Sequence, residues 1–376
     1  MKTILKPYSK GDFTLKNHLV MAPMTRSRAI GNIPNELMAE YYGQRTGAGL
    51  IITEGTAPTP EALGYPRIPG IFSQQQVEGW KKVTSRVHQD NTKIFVQLMH
   101  TGRIGHIDNL PEGAHLLGAS DIPAAGQIFT DTQGKQDHSK PKTLTNQGVK
   151  EVIKGFKIAA QNAIEADFDG IELHGANGYL MEQFLNPNVN TRTDEYGGNM
   201  KNRARFLLEA ASETTKAIGR DKVGIRLSPF SKLGDLQDYG EAQVHETYTY
   251  LARELNTLGL LYIHIVTDPL MPQKTMTAIR ENFQGTLILA SGFNPETAEE
   301  VLSKGLADLV AFGKFFLANP DFEKRLKKNT PLNPIDFPTL YSPNVVGYTD
   351  YAFLEETNLD TSATPTTTTL VLESKP

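Results

Sequence analysis

Gly170-Ile171-Glu172-Leu173-His174 (GIELH) runs directly into Gly175-Ala176-Asn177-Gly178-Tyr179, and the reading of this passage decides the fold. Five residues make one short strand, in which alternation puts Glu172 and His174 on one face and Ile171 and Leu173 on the other. Working outward, short apolar runs recur at His18–Met24, Gly49–Glu54 and Lys93–Met99 before it, and at Lys222–Leu227, Leu260–Val266, Thr286–Ser291 and Leu309–Gly313 after it. Most are too uniformly apolar for a strand with a wet face, so they are predicted to be buried on both sides. Helical periodicity fills the intervals at Asn35–Thr46, Gln74–Gln89, Asn146–Ala166, Met200–Ile218, Glu241–Leu258, Pro295–Lys304 and Pro320–Lys328. Only the sixth unit, around Met271–Asn282, is weak. Eight alternations point to a closed (β/α)8 TIM barrel, since an open sheet more usually has about five or six strands. Phe13–Leu15 is predicted to belong to a short hairpin closing the barrel's bottom.

Length and composition agree with one large domain. The chain has 376 residues, and α/β barrels often run past about 250 residues without dividing. A hydrophobic fraction of 39% and a charged fraction of 21% fit a globular protein with a substantial core. The net charge of −4 comes without a long basic block, so neither a nucleic acid nor a membrane surface is an expected partner. No stretch nears the roughly 18 apolar residues that span a bilayer. The absence of cysteine excludes disulfides, thiolate metal sites and thiol nucleophiles, and it suits a reducing compartment. The cytoplasm is the expected address. The barrel is expected to occupy residues 1–354, and the threonine-rich tail over 355–376 to be disordered.

The polar residues at strand ends carry the functional reading, because a barrel brings the C-terminal ends of its strands to one mouth. Two long connections, Thr101–Thr145 and Gly175–Asn199, lie there as candidate lids or pocket walls. Thr25 ends the first strand, Gln97 sits in the third, and His174, Asn177 and Tyr179 leave the fourth. Arg226 sits in the fifth, and Gly313-Lys314 ends the eighth. Alone, Arg226 reads as a structural ion pair, Gln97 as a satisfied core amide and Tyr179 as a rim aromatic. Their convergence from five strands favours a site.

Ser291-Gly292 and Gly313-Lys314 follow the seventh and eighth strands, where barrels commonly hold a phosphate on backbone N–H groups. Gln97 can hydrogen-bond an imide edge, and Arg226 can stabilise the negative charge of a reduced flavin. His174 and Asn177, three apart, can donate to one oxygen and polarise a carbonyl, while Tyr179 can give up a proton. Nine histidines include no pair at ligand spacing with a carboxylate, so no metal is expected. No GxGxxG follows a strand, so a nicotinamide cofactor would have no dedicated domain.

In order, Ala22–Arg26 (APMTR), Gln97–Arg103 (QLMHTGR), His174–Leu180 (HGANGYL), Gln183–Pro187 (QFLNP), Arg192–Gly198 (RTDEYGG), Phe312–Lys314 (FGK) and Ala318–Asp321 (ANPD) resemble the Old Yellow Enzyme family of flavin-dependent ene-reductases. The resemblance runs from about Leu15 to Tyr351. It implies a tightly bound, non-covalent FMN held by Pro23, Thr25, Ala57, Gln97 and Arg226 at its ring and by Gly292, Gly313 and Lys314 at its phosphate. It implies NADPH as reductant, sharing one pocket with an α,β-unsaturated carbonyl or nitro compound. His174 and Asn177 would bind the activating oxygen, Tyr179 would protonate the α-carbon, and Tyr65 and Tyr351 would line the pocket. A monomer or homodimer is the expected assembly.

Two departures from the family pattern stand out. Lys314 replaces the usual arginine, keeping the charge and losing a bidentate phosphate grip. Met99 replaces a tryptophan common in bacterial relatives, which predicts a roomier substrate pocket. Three rivals remain. An FMN barrel oxidising 2-hydroxy acids would need a histidine base with arginine partners for a carboxylate. A sugar-phosphate isomerase or aldolase would need a carboxylate or lysine at a strand centre, for which only Glu172 offers itself. A flavin-binding protein without turnover would lack the His174, Asn177 and Tyr179 set.

Overall fold

A computed structural model describes residues 2–354; the threonine-rich tail over 355–376 lies outside the described residues. Eight parallel strands close on themselves: β1 (Leu19–Met21), β2 (Leu50–Thr56), β3 (Lys93–Leu98), β4 (Gly170–Gly175), β5 (Val223–Leu227), β6 (Tyr262–Val266), β7 (Thr286–Ala290) and β8 (Leu309–Phe312), with β8 pairing back onto β1. Outside them lie α1 (Glu36–Gly43), α2 (Gln74–His88), α3 (Asn146–Glu165), α4 (Leu180–Leu185), α5 (Met200–Ile218), α6 (Glu241–Leu258), α7 (Gln273–Asn282), α8 (Pro295–Ser303), α9 (Lys314–Ala318) and α10 (Phe322–Lys328). The weak sixth unit does contain a helix, α7. Its signal is faint because only Thr275 and Ile279 are buried in it. Helices α4 and α9, of 6 and 5 residues, are too short to show a period, and every residue of α4 is buried.

Strand alternation sorts the side chains into two cores. Leu19, Ile51, Val96, Leu173, Ile225, Ile263, Leu287 and Val310 face outward and pack with the helices. Val20, Leu50, Phe95, Tyr262, Ile288 and Leu309 face inward. Tyr8–Lys10 pairs antiparallel with Phe13–Leu15, and Tyr8, Phe13 and Leu15 join that inner cluster as a plug at the strands' N-terminal ends. Both strand faces are therefore dry, which is why the runs read as continuously apolar.

Higher in the barrel the interior turns polar. Register sets Gln97 beside Glu172 and aligns His174, Arg226 and His264 across β4, β5 and β6. Glu172, fully buried, accepts from Gln97 Nε2 at 2.8 Å and from His264 Nδ1 at 2.8 Å. Gly224 is needed beneath this layer, since a Cβ there would stand 2.1 Å from the Tyr262 ring.

Beyond α10 the chain crosses the barrel mouth with only a 3-10 turn at Phe337–Thr339. Buried arginines from the β1 side hold it. Arg26 donates to the carbonyls of Leu340 and Gly347, Arg28 to those of Thr339, Leu340, Asn344 and Val346, and Arg45 to that of Tyr348. These donors satisfy carbonyls that a helix or sheet would otherwise have paired. No described helix is long and apolar enough to cross a membrane.

Candidate active site

The C-terminal ends of β2, β3, β4 and β5 and the segments after β1, β3, β4 and β8 meet around a cavity of about 280 Å³. Pro23, Thr25, Gln97, Met99, His174, Asn177, Tyr179, Arg226 and Lys314 all line it. Of the other residues singled out in the sequence, Ala57 shares an apolar cluster with Met99, and Tyr65 packs against that cluster; neither lines the cavity. Gly313 caps α9 and Gly292 lies in the exposed turn after β7. Tyr351 stands apart, its hydroxyl accepting from the Asp336 N–H at 3.1 Å.

Gln97 is oriented by its partner. A carboxylate only accepts, so the amide nitrogen must face Glu172, which leaves Gln97 Oε1 as an acceptor for a donor in the cavity. Arg226 keeps its Nε buried and unpartnered. Burial pushes its guanidinium pKa down while the charge of Glu172 opposes the shift. His174 Nδ1 and Asn177 Oδ1 are likewise buried without partners. Burial, with Arg226 and His264 nearby, holds the His174 imidazole well below its ordinary pKa, so it is neutral. Unpartnered polar atoms on three adjoining residues mark a place built for a polar ligand.

Tyr179 lies edge-on to His174, with ring centroids 4.7 Å apart, and donates to Tyr65 Oη at 3.1 Å. Burial raises its phenol pKa and the Tyr65 hydrogen bond opposes that, so the group stays protonated. In the turn after β7, outside the cavity lining, Ser291 and Gly292 take left-handed backbone angles, φ +79° and +75°. Thr267 Oγ braces this turn by donating to the carbonyls of Ala290 and Ser291. No atom comes within 4 Å of where a Gly292 Cβ would stand, leaving the turn open for a close-approaching group. Lys314 does line the cavity, its Nζ 5.6 Å from the Phe337 ring centroid.

The sequence reading missed the wall formed by Ile335, Phe337, Leu340 and Tyr341, and also Gly55 in β2. Gly55 follows a register shift and a Cβ there would stand 2.4 Å from Met99 Sδ, so it makes the room Met99 occupies. The wall had one sequence signal, large apolar side chains in an aperiodic segment, but nothing local says where that segment lies. The Glu172 needed by a sugar-phosphate isomerase is tied to Gln97 and His264, and it does not line the cavity.

The model of the NADH:flavin oxidoreductase / NADH oxidase family matches residues 3–333. The 12-oxophytodienoate reductase 1 of Oryza sativa subsp. japonica is 42% identical over 372 residues, covering 96% of each chain. The 12-oxophytodienoate reductase 2 of Arabidopsis thaliana is 39% identical over 364 residues, covering 94% of this chain and 96% of that one. Among solved structures, morphinone reductase superposes with a TM-score of 0.90 at 38% identity, covering 95% of this chain and 97% of that one.

Proposed function

The chain belongs to the NADH:flavin oxidoreductase / NADH oxidase family, as its resemblance to Old Yellow Enzyme implied, and from that premise we propose an FMN-dependent ene-reductase acting on α,β-unsaturated carbonyl or nitro compounds. The observation that carries this reading is the convergence of Gln97, Arg226, His174, Asn177 and Tyr179 on one cavity. Bound FMN supplies the hydride, drawn from NAD(P)H and delivered to the β-carbon of the alkene. NADPH is the proposed reductant.

The residues present fit that cofactor. Gln97 Oε1 is available to an imide N–H, and Arg226 brings a fixed cation to a cavity where negative charge develops. Pro23, Thr25 and Ala57 are assigned to the ring, and Gly292, Gly313 and Lys314 to the phosphate. His174 and Asn177 hold the activating oxygen, which places the α-carbon for the Tyr179 proton. Tyr65 and Met99 are proposed to line the substrate side, where Tyr341 joins them; Tyr351, which the resemblance had put there, bonds Asp336 outside the cavity lining and is not assigned to it. A cysteine-free chain supports a cytoplasmic address, and a monomer or homodimer is the proposed assembly.

The purified protein is expected to show a flavin spectrum that bleaches with NADPH in the absence of oxygen and recovers on adding 2-cyclohexenone. A colourless protein that cannot be loaded with FMN overturns the cofactor assignment. Bleaching without recovery by any activated alkene overturns the substrate class alone.

Lys314 gives a graded test of the phosphate end. Because Lys314 is solvent-exposed, its charge is screened, and Lys314→Ala is expected to weaken FMN binding by about 5- to 10-fold. Lys314→Arg, which restores a bidentate fork, should tighten it. Fluorescence of released FMN during dialysis reads both, and equal retention in all three proteins removes Lys314 from the phosphate site.

A further inference from the structure

Asn177 and Gly178 take left-handed backbone angles in succession, φ +59° and +81°. At Gly178 the geometry demands glycine, since a Cβ would stand 2.4 Å from the Leu233 carbonyl oxygen. Asn177 is of the non-glycine type that adopts this conformation most readily, and its surroundings fix it further. The enforcing contacts can be traced. The Asn177 N–H donates to Ser228 Oγ at 2.8 Å, and the Ser228 hydroxyl donates to Glu182 Oε1 at 2.7 Å. The Gly178 N–H donates to Glu182 Oε2 at 2.7 Å. One carboxylate on α4 therefore reaches back to both amides of the turn, directly for one and through a serine at the end of β5 for the other.

Glu182 is an unusual residue to find there. It is 3% exposed, and its described partners are neutral donors, the third being Tyr248 of α6 at 2.9 Å from Oε1. Burial pushes its pKa up to about 7 despite those donors. A buried carboxylate without a cation is costly, and it is retained where its acceptor capacity is used. Here three donors share two oxygens. Glu182, Ser228 and Tyr248 also border a second cavity of about 150 Å³, so packing alone does not hold this carboxylate in place.

We propose that Glu182 is a positioning residue for substrate binding, which acts through Ser228 and the Gly178 amide to hold the turn that aims the Asn177 side chain at the substrate's activating oxygen. This rests on the assignment of Asn177 as a donor to that oxygen. Glu182 touches neither substrate nor cofactor, so its removal acts on binding and alignment through the turn.

Ser228 and Tyr248 supply a matched pair of lesions. Each gives one hydroxyl to the same carboxylate oxygen, but only Ser228 also holds Asn177. The test uses the FMN-loaded enzyme and cyclohexanone, the saturated product, whose Kd is read from its perturbation of the flavin spectrum. Ser228→Ala is expected to raise that Kd about tenfold, the loss of roughly one well-placed hydrogen bond. Glu182→Leu is expected to raise it further. Tyr248→Phe should leave it within about twofold while lowering Tm about as much as Ser228→Ala does. A Kd equally raised in Tyr248→Phe means a general loss of stability and overturns the proposal, as does an unchanged Kd in Ser228→Ala. Should Glu182→Leu fail to fold, the matched pair decides alone. Asn177→Ala separates the premise from the relay. If it binds cyclohexanone as tightly as the wild type, the donor assignment fails. If it binds weakly while Ser228→Ala does not, only the relay fails.

Discussion

Tyr179→Phe is expected to bleach with NADPH at close to the wild-type rate and to recover with 2-cyclohexenone about 10²–10⁴-fold more slowly, the usual loss for a positioned general acid. The substitution removes one hydroxyl and keeps the ring that packs edge-on to His174 at 4.7 Å. What it deletes is the phenol proton, which burial keeps in place by raising the pKa above its ordinary value. Hydride uptake from NADPH needs no proton from Tyr179, so the two half-reactions should separate. Rapid-mixing absorbance at the flavin maximum measures both, and unchanged recovery would remove Tyr179 as the donor.

The second large effect belongs to His174. His174→Ala should lower the rate of enone reduction by about 10²–10³-fold, the loss that follows deletion of one preorganised donor to a developing oxyanion. The pH dependence carries the sign of the mechanism. Burial and the nearby Arg226 hold the folded-state pKa of His174 well below its ordinary 6.5. Lowering the pH from about 8 to 6 therefore leaves the imidazole neutral, with one N–H to donate, and its contribution to kcat/KM should stay constant over that range. A break near pH 6.5 that disappears in His174→Asn would show that the charged form does the work and would sink the neutral-donor assignment.

The strand frame and the polar part of the cavity lining were legible in the sequence through local spacing, whereas Pro23 and Met99 were reached through the family resemblance. The run Gly170–His174 needs only its own alternation to present Glu172 and His174 on one side, and the following turn carries Asn177 and Tyr179 with it. Helices α5 and α6 announced themselves over Met200–Ile218 and Glu241–Leu258 through their buried stripes. Where a helix is short and wholly buried, as α4 is, no stripe exists to be read.

By itself, then, the sequence determined eight strand–helix units, the mouth at which their polar ends gather, and the polar strand-end residues that face it. Tertiary structure alone decided which of those polar groups are free. Glu172 and His264, 92 residues apart, meet only when β4, β5 and β6 lie in register, and that meeting turns a candidate catalytic carboxylate into an orienting one. Leu340 reaches the cavity because Arg26, 314 residues earlier, holds its carbonyl. Glu182 reaches the Asn177 turn through Ser228, just past the end of β5. Periodicity is a property of neighbours along the chain, whereas hydrogen-bond satisfaction is settled between segments that come together only when the barrel closes.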